Sequence, residues 1–239
     1  MKTVLKTSML PLMAFLLLVA VIRFTSADPS GANIQFNSTG TSSTSLAGNL
    51  TNPGGSINFV NLAATQQDAA WKAYVGNVSG LLTLDDFNGK TIYNWALASV
   101  QGRVFASRFN NITWSSINCS VQANVDAEQT AVSFASSDSD SINRTFIHTN
   151  HTTFLVAARN MTGCKFTPTF VNDSAQPVGP SSFFQETLLS DGTDMVYATI
   201  VESASPEGFD SGKRHFQLIV PQSKVTQTPT LYYFYVELG

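Results

Sequence analysis

The stretch Leu231-Tyr232-Tyr233-Phe234-Tyr235-Val236-Glu237-Leu238 decides the fold class. Successive side chains of a β-strand point to opposite faces. The even-numbered side chains from Tyr232 to Leu238 therefore share one face, and the odd-numbered ones from Leu231 to Tyr235 share the other. Because both faces are apolar, the stretch predicts a central strand rather than an edge strand.

Similar short runs of aromatic and β-branched residues recur from residue 67 onward, separated by clusters of Gly, Asn, Asp, Pro and Ser. We predict strands at 102–108, 117–125, 130–135, 152–159, 166–171, 183–189, 194–202, 214–220 and 230–238. Residues 71–84 predict one long strand or two broken at Gly76, and the turn residues 85–89 predict a hairpin with 91–97. No stretch forms a persuasive amphipathic helix. The pattern predicts an all-β fold over residues 67–239, an antiparallel β-sandwich that is Ig-like or jelly-roll-like.

Residues 28–66 are rich in Ser, Thr, Asn and Gly and show little strand pattern. They predict either a loosely attached leader to the main domain or a strand that is exchanged between copies. Ile34 and Phe36 alternate with polar neighbours within residues 31–37, which makes this segment the candidate donor strand.

Residues 1–27 have the three parts of a signal peptide: Lys2 and Lys6, an apolar run, and small residues ending at Ala27. The run of 14 residues spans about 21 Å as a helix, which is less than the roughly 30 Å of a bilayer core. We predict a leader that is cleaved, and hence a secreted protein. An uncleaved anchor and a pilin-type leader are the alternatives, and Pro11 counts against both.

Asn-X-Ser/Thr triplets occur nine times behind this leader. With 17 asparagines and Ser plus Thr at about 22% of the chain, composition alone would give roughly three or four. The excess predicts dense N-glycosylation, although an Asn-rich and Ser-rich surface is the alternative explanation. The acceptors are Asn37, Asn49, Asn77, Asn111, Asn118, Asn143, Asn150, Asn160 and Asn172.

Charge and cysteine content bound the function further. Removal of residues 1–27 takes away three basic residues and leaves ten basic against 16 acidic, a net charge of about −6. This composition argues against a nucleic-acid partner. Cys119 and Cys164 are the only cysteines, and an oxidising exterior favours a disulfide over a metal site. Closing this loop stabilises the fold by up to about 4 kcal/mol. If Cys119 pairs early, the acceptor Asn118 goes unused.

A search for catalytic chemistry is nearly empty. His148 and His151 have no third ligand nearby, and Asp138-Ser139-Asp140 lacks the Gly and Glu of a calcium loop. No nucleophile elbow or phosphate loop occurs. We therefore expect no enzyme activity, no metal and no cofactor. We expect Trp71 and Trp95 to pack in the core and Trp114 to be partly exposed, where it could stack on sugars.

Several segments resemble a group of uncharacterised secreted archaeal β-rich surface proteins. The resemblance covers most of residues 70–239, including both cysteines, and rests on 71–80, 93–95, 102–107, 113–119 and 232–238. It implies an exported β-rich surface protein and carries no catalytic motif. Residues 28–66 have no matching element, so any role for them rests on their own sequence.

Three functions follow as hypotheses. The first is a structural glycoprotein that assembles with its own copies into an extracellular filament or surface layer, by strand donation between subunits. We expect this protein to have no membrane anchor once the leader is cleaved. The second is a module that binds glycans or another cell surface through loops and Trp114. The third is a hydrolase with acids scattered over strands, which would need an acid pair converging in a pocket.

Overall fold

The computed structural model describes residues 28–34, 38–42, 47–97, 99–225 and 228–239. The predicted signal peptide lies outside the described residues, as do Phe36 and Asn37. The described residues contain a 3-10 turn (Trp114–Ser116) and two helices, α1 (Gln122–Ala131) and α2 (Ile142–Thr145). Their thirteen strands are β1 (Ser30–Gly31), β2 (Trp71–Gly76), β3 (Leu81–Asp85), β4 (Thr91–Ala96), β5 (Gly102–Ser107), β6 (Asn118–Cys119), β7 (Phe154–Val156), β8 (Arg159–Met161), β9 (Phe166–Pro168), β10 (Gln185–Ser190), β11 (Met195–Ile200), β12 (Phe216–Pro221) and β13 (Tyr233–Leu238).

Seven strands form one antiparallel sheet. Its order is β1, β13, β5, β11, β10 and β6, and β9 pairs with β10 as well. β9 and β6 share the outer edge of β10, since β9 pairs with residues 185–187 and β6 with residues 189–190. The predicted strands at 102–108, 183–189, 194–202 and 230–238 are confirmed and form most of this sheet.

The central strands β5, β10 and β11 are buried on both faces, although β10 contains the polar residues Gln185, Glu186 and Thr187. On one face, Tyr197 and Leu188 pack with Leu218 of β12 and with the apolar side chains of α1 and α2. On the other face, Phe105 and Val196 pack with the β7–β8 pair and the two cysteines. Each face therefore has its own core.

β2 and β12 form a second antiparallel pair along all six residues and stack on the first face. The predicted all-β antiparallel fold with one disulfide is confirmed, and the stacked sheets do not close into a barrel. β13 pairs with β5 over its whole length but with β1 only at Val236 and Tyr235. The strand predicted as central is thus the second strand from the edge.

The predicted strands at 117–125 and 130–135 are wrong, because the two-residue β6 is followed directly by α1. Val125, Glu128 and Gln129 are its buried residues. Two of these three are polar, so the apolar periodicity that marks an amphipathic helix is weak. Glu128 is buried because Arg108 forms a two-pronged ion pair with it, through Nε at 2.9 Å and Nη2 at 2.7 Å.

The described part of residues 28–66 adds one strand to the domain. β1 pairs with β13, and Ala32 N–H extends the pairing by donating to the Phe234 carbonyl at 2.8 Å. Within the described part of the candidate donor segment, only Gly31 lies in a strand, and Ile34 is 63% exposed. From residue 47 to 69 the chain is exposed throughout.

Candidate functional site

Eight of the nine predicted acceptor asparagines lie in the described residues, and seven of those eight are exposed. The exposed acceptors are Asn49, Asn77, Asn111, Asn118, Asn150, Asn160 and Asn172. An oligosaccharide on an exposed Asn side chain can project into solvent, although Asn172 Nδ2 already donates a hydrogen bond to Glu207 at 2.5 Å. The geometry is therefore compatible with sugar at most of the predicted positions.

Asn143 is the exception among them. It lies in α2, is only partly exposed, and its side chain is tied to α1. Its Oδ1 accepts a hydrogen bond from Gln122 at 2.8 Å, and its Nδ2 donates to Asp126 at 3.1 Å. A glycan would replace one of the two hydrogens on this Nδ2, so occupancy at Asn143 keeps the contact only if the remaining hydrogen points at Asp126.

The disulfide joins Cys119 in β6 to Cys164 before β9, across 45 residues of sequence. This confirms the predicted pairing. It also constrains Asn118, whose Oδ1 accepts the Cys119 N–H at 2.8 Å and whose triplet ends in the buried Ser120. A glycosylating enzyme would reach this hydroxyl only before the chain folds.

His151 lies beside the disulfide and forms a hydrogen bond with the backbone of Cys164. Its Nε2 accepts the Cys164 N–H at 2.9 Å, and its Nδ1 lies 2.7 Å from the Thr152 carbonyl. Burial lowers the pKa of His151, in keeping with a neutral ring that accepts at Nε2. The rings of His151 and His148 both pack on Phe166. Within the described residues, no three of His, Cys, Asp and Glu are grouped as metal ligands.

Two carboxylate side chains lie in the same open cavity of about 610 Å³, next to the first residue of β2. They are Asp68 and Asp140, and each already has a partner. Asp68 accepts the Ala70 N–H at 2.7 Å, and Asp140 forms an ion pair with Lys224 at 2.8 Å. Lys224 also binds Asp138, and its ammonium lies over the Phe134 ring. These contacts hold the loop before α2 against the loop after β12.

Trp71 and Trp114 have the burial that the sequence predicts, and Trp95 does not. Trp71 packs against the first core, as expected, and donates from Nε1 to the Asp140 carbonyl at 2.8 Å. Trp114 is partly exposed but lies against Phe105 and Tyr235 in the second core. Trp95 was predicted to be a core residue, and this is wrong, because 48% of it is exposed.

Trp95 belongs to the β3–β4 hairpin, whose pairing confirms the hairpin predicted across the turn residues 85–89 with 91–97. The register places Leu82 opposite Trp95 and Leu84 opposite Tyr93. These four residues share one face of the hairpin, which we call the apolar hairpin face. The Tyr93 and Trp95 ring centroids are 5.0 Å apart. Alternation in the sequence shows that the four share a face, but not that the face is uncovered.

No family model, curated protein or solved structure matches this chain. Among the described residues, no helix has the length and apolar character needed to cross a membrane.

Proposed function

We propose that this chain is a secreted, N-glycosylated structural protein of the cell surface that assembles with its own copies into an extracellular filament or layer. The resemblance to archaeal surface proteins is consistent with this reading. The proposal assigns the chain no reaction, metal or cofactor. Sugar at the exposed acceptors takes over the solubilising role that charged residues have in most domains, since only 12% of the residues are charged.

The observation that carries the proposal is the contact between β1 and β13. An edge strand presents unpaired backbone groups that pair readily with another chain. Here the outer edge of β13 is closed over two residues by a segment from the far end of the chain. Between β1 and β2, which begins at residue 71, the described residues form no further strand. A segment of this length lets β1 reach another subunit, so the same pairing is available to β1 of a neighbouring copy.

Deletion of residues 28–37 tests strand donation. We expect this variant to remain folded and soluble and to form no polymers, because it lacks the strand that pairs with β13. The control is deletion of residues 47–56, which has the same length and removes no strand. Electron microscopy of secreted material would show polymers for the control only. Polymers of normal length from the first variant would reject strand donation.

A second candidate function is glycan binding. The observation that favours it is the pair of partly exposed rings, Tyr93 and Trp95, since aromatic side chains stack on sugars. Trp114, the residue expected for this role, packs against the second core instead. A glycan array probed with the chain and with a Trp95→Ala variant tests this function. Sugar binding that depends on Trp95 would favour it over self-assembly.

A further inference from the structure

The apolar hairpin face has no cover within the described residues. Its four side chains are between 37% and 59% exposed. An isolated two-stranded hairpin is at best marginally stable in water and normally needs packing on one face. The uncovered face is smaller than the apolar patches that mark a stable interface by their size alone, so its surroundings have to indicate what it contacts.

The distribution of acceptors and charges indicates what kind of partner covers it. No acceptor occurs between Asn77 and Asn111, so the hairpin lies in a part of the sequence without predicted glycosylation sites. The charged residues of the hairpin are confined to its tip, at Asp85, Asp86 and Lys90. Two copies of a chain with net negative charge repel each other least where they meet through uncharged, sugar-free surface.

We propose that the apolar hairpin face binds the same face of a second copy of this chain, about a two-fold axis parallel to the strands. This inference rests on the proposed self-assembly and names a second contact within it. With the axis in this direction, β3 lies over β4 of the other copy. The leucines of one copy then pack on the rings of the other. The face is thus complementary to itself, with leucines against rings and no charged side chain in the contact.

The size of the face sets the strength of this contact. Five residues of strand span about 17 Å, and two strands about 10 Å, which is far less than the roughly 800 Å² per partner of a stable interface. The contact alone is therefore weak. It becomes effective when strand donation has already brought two copies together, because the second contact is then intramolecular.

Leu84→Asp and Leu81→Asp form a matched pair of variants. Both leucines lie in β3 and are 54% exposed, but they point to opposite faces of the hairpin. We expect Leu84→Asp to weaken self-association at least tenfold in sedimentation velocity over a concentration series. Leu81→Asp should leave it unchanged. Equal effects of the two substitutions, or no concentration-dependent association in the unchanged chain, would overturn the proposal.

Cross-linking tests the direction of the axis. The native cysteines are joined to each other, so an introduced cysteine is the only free thiol. We expect a mixture of Leu84→Cys and Tyr93→Cys chains to form mixed disulfide dimers under mild oxidation. A mixture of Leu81→Cys and Tyr93→Cys chains should not. Mixed dimers at the same rate in both mixtures would overturn the geometry.

The chain lacking residues 28–37 separates this proposal from strand donation. In that background the weak pairing should persist and still be lost with Leu84→Asp, whatever the fate of the polymers. Polymers formed by the deletion variant would reject strand donation. The effect of Leu84→Asp on self-association would then still decide the hairpin proposal. If Trp95→Ala abolishes binding to oligosaccharides released from the native chain while Leu84→Asp leaves self-association intact, the face binds sugar and the proposal is overturned.

Discussion

Glu186 carries a carboxyl group that is buried in the main sheet. The residue is fully buried in β10, where its Oε2 accepts the Ile219 N–H at 2.7 Å. Its Oε1 and the Thr199 hydroxyl are buried without a hydrogen-bond partner among the described residues, and the two residues are register partners on adjacent strands. Burial raises the pKa of Glu186 well above its ordinary value of 4.5, because the charged form loses its hydration.

A pH dependence of stability follows from this shift. Folding favours the protonated carboxyl, so its contribution is complete below pH 4.5 and is lost as the pH rises through the raised pKa. A Glu186→Gln variant stays neutral and keeps an acceptor for Ile219. We expect its melting temperature to fall less between pH 5 and pH 9 than that of the unchanged chain, by about 3 °C or more.

Calorimetry at both pH values measures this difference. The control is Asp85→Asn, which removes an exposed carboxyl from the hairpin and should leave the pH dependence as it is. Parallel pH profiles for the unchanged chain and Glu186→Gln would show that Glu186 is ionised in the folded state.

At the scale of elements, α1 depends on one ion pair. Arg108, at the end of β5, holds Glu128 against the sheet, and the Tyr197 hydroxyl lies 3.4 Å from the same carboxylate. An Arg108→Met variant leaves Glu128 buried without its cation. We expect a loss of about 3 kcal/mol in the free energy of unfolding. The double variant Arg108→Met with Glu128→Leu should recover most of it, because no buried charge remains.

Urea denaturation of the single and double variants measures both values. Asp210 and Arg214 provide the control, since this exposed pair lies in a loop, and Arg214→Met should cost less than about 1 kcal/mol. A double variant as unstable as Arg108→Met alone would mean that the ion pair, and not only the satisfied charge, positions α1.

The same helix shows where sequence reasoning reached its limit. Strands with apolar residues on both faces, such as β11 and β13, were predictable because their pattern does not depend on distant partners. The α1 helix was not, since its inward face contains a Glu that only a cation from β5 makes tolerable. The prediction that Trp95 is buried was wrong for the opposite reason. Alternation places Trp95 on an apolar face, but only the fold shows that the domain leaves that face uncovered. The disulfide needed no partner other than the second cysteine, and its prediction is confirmed.

At the scale of the whole molecule, solubility depends on what covers a surface poor in charge. Our proposal assigns this role to sugar, which can be removed without touching the core. Asn172 is left out of the substitution set because its backbone is left-handed. Asn77 is left out because its Oδ1 accepts the His215 N–H. The substitution set is therefore Asn→Gln at Asn49, Asn111, Asn150 and Asn160.

We expect this fourfold variant to fold with an unchanged melting temperature but to precipitate at a protein concentration roughly tenfold lower, because the exposed apolar surface loses its hydrated cover. The matched control is Asn→Gln at Asn52, Asn58, Asn61 and Asn110, which are exposed and are not acceptors. Solubility measured in ammonium sulfate should fall for the first set only. Equal solubility of both sets, with sugar verified on the control by mass spectrometry, would mean that the polypeptide surface is soluble without carbohydrate. The excess of acceptors would then need a different explanation.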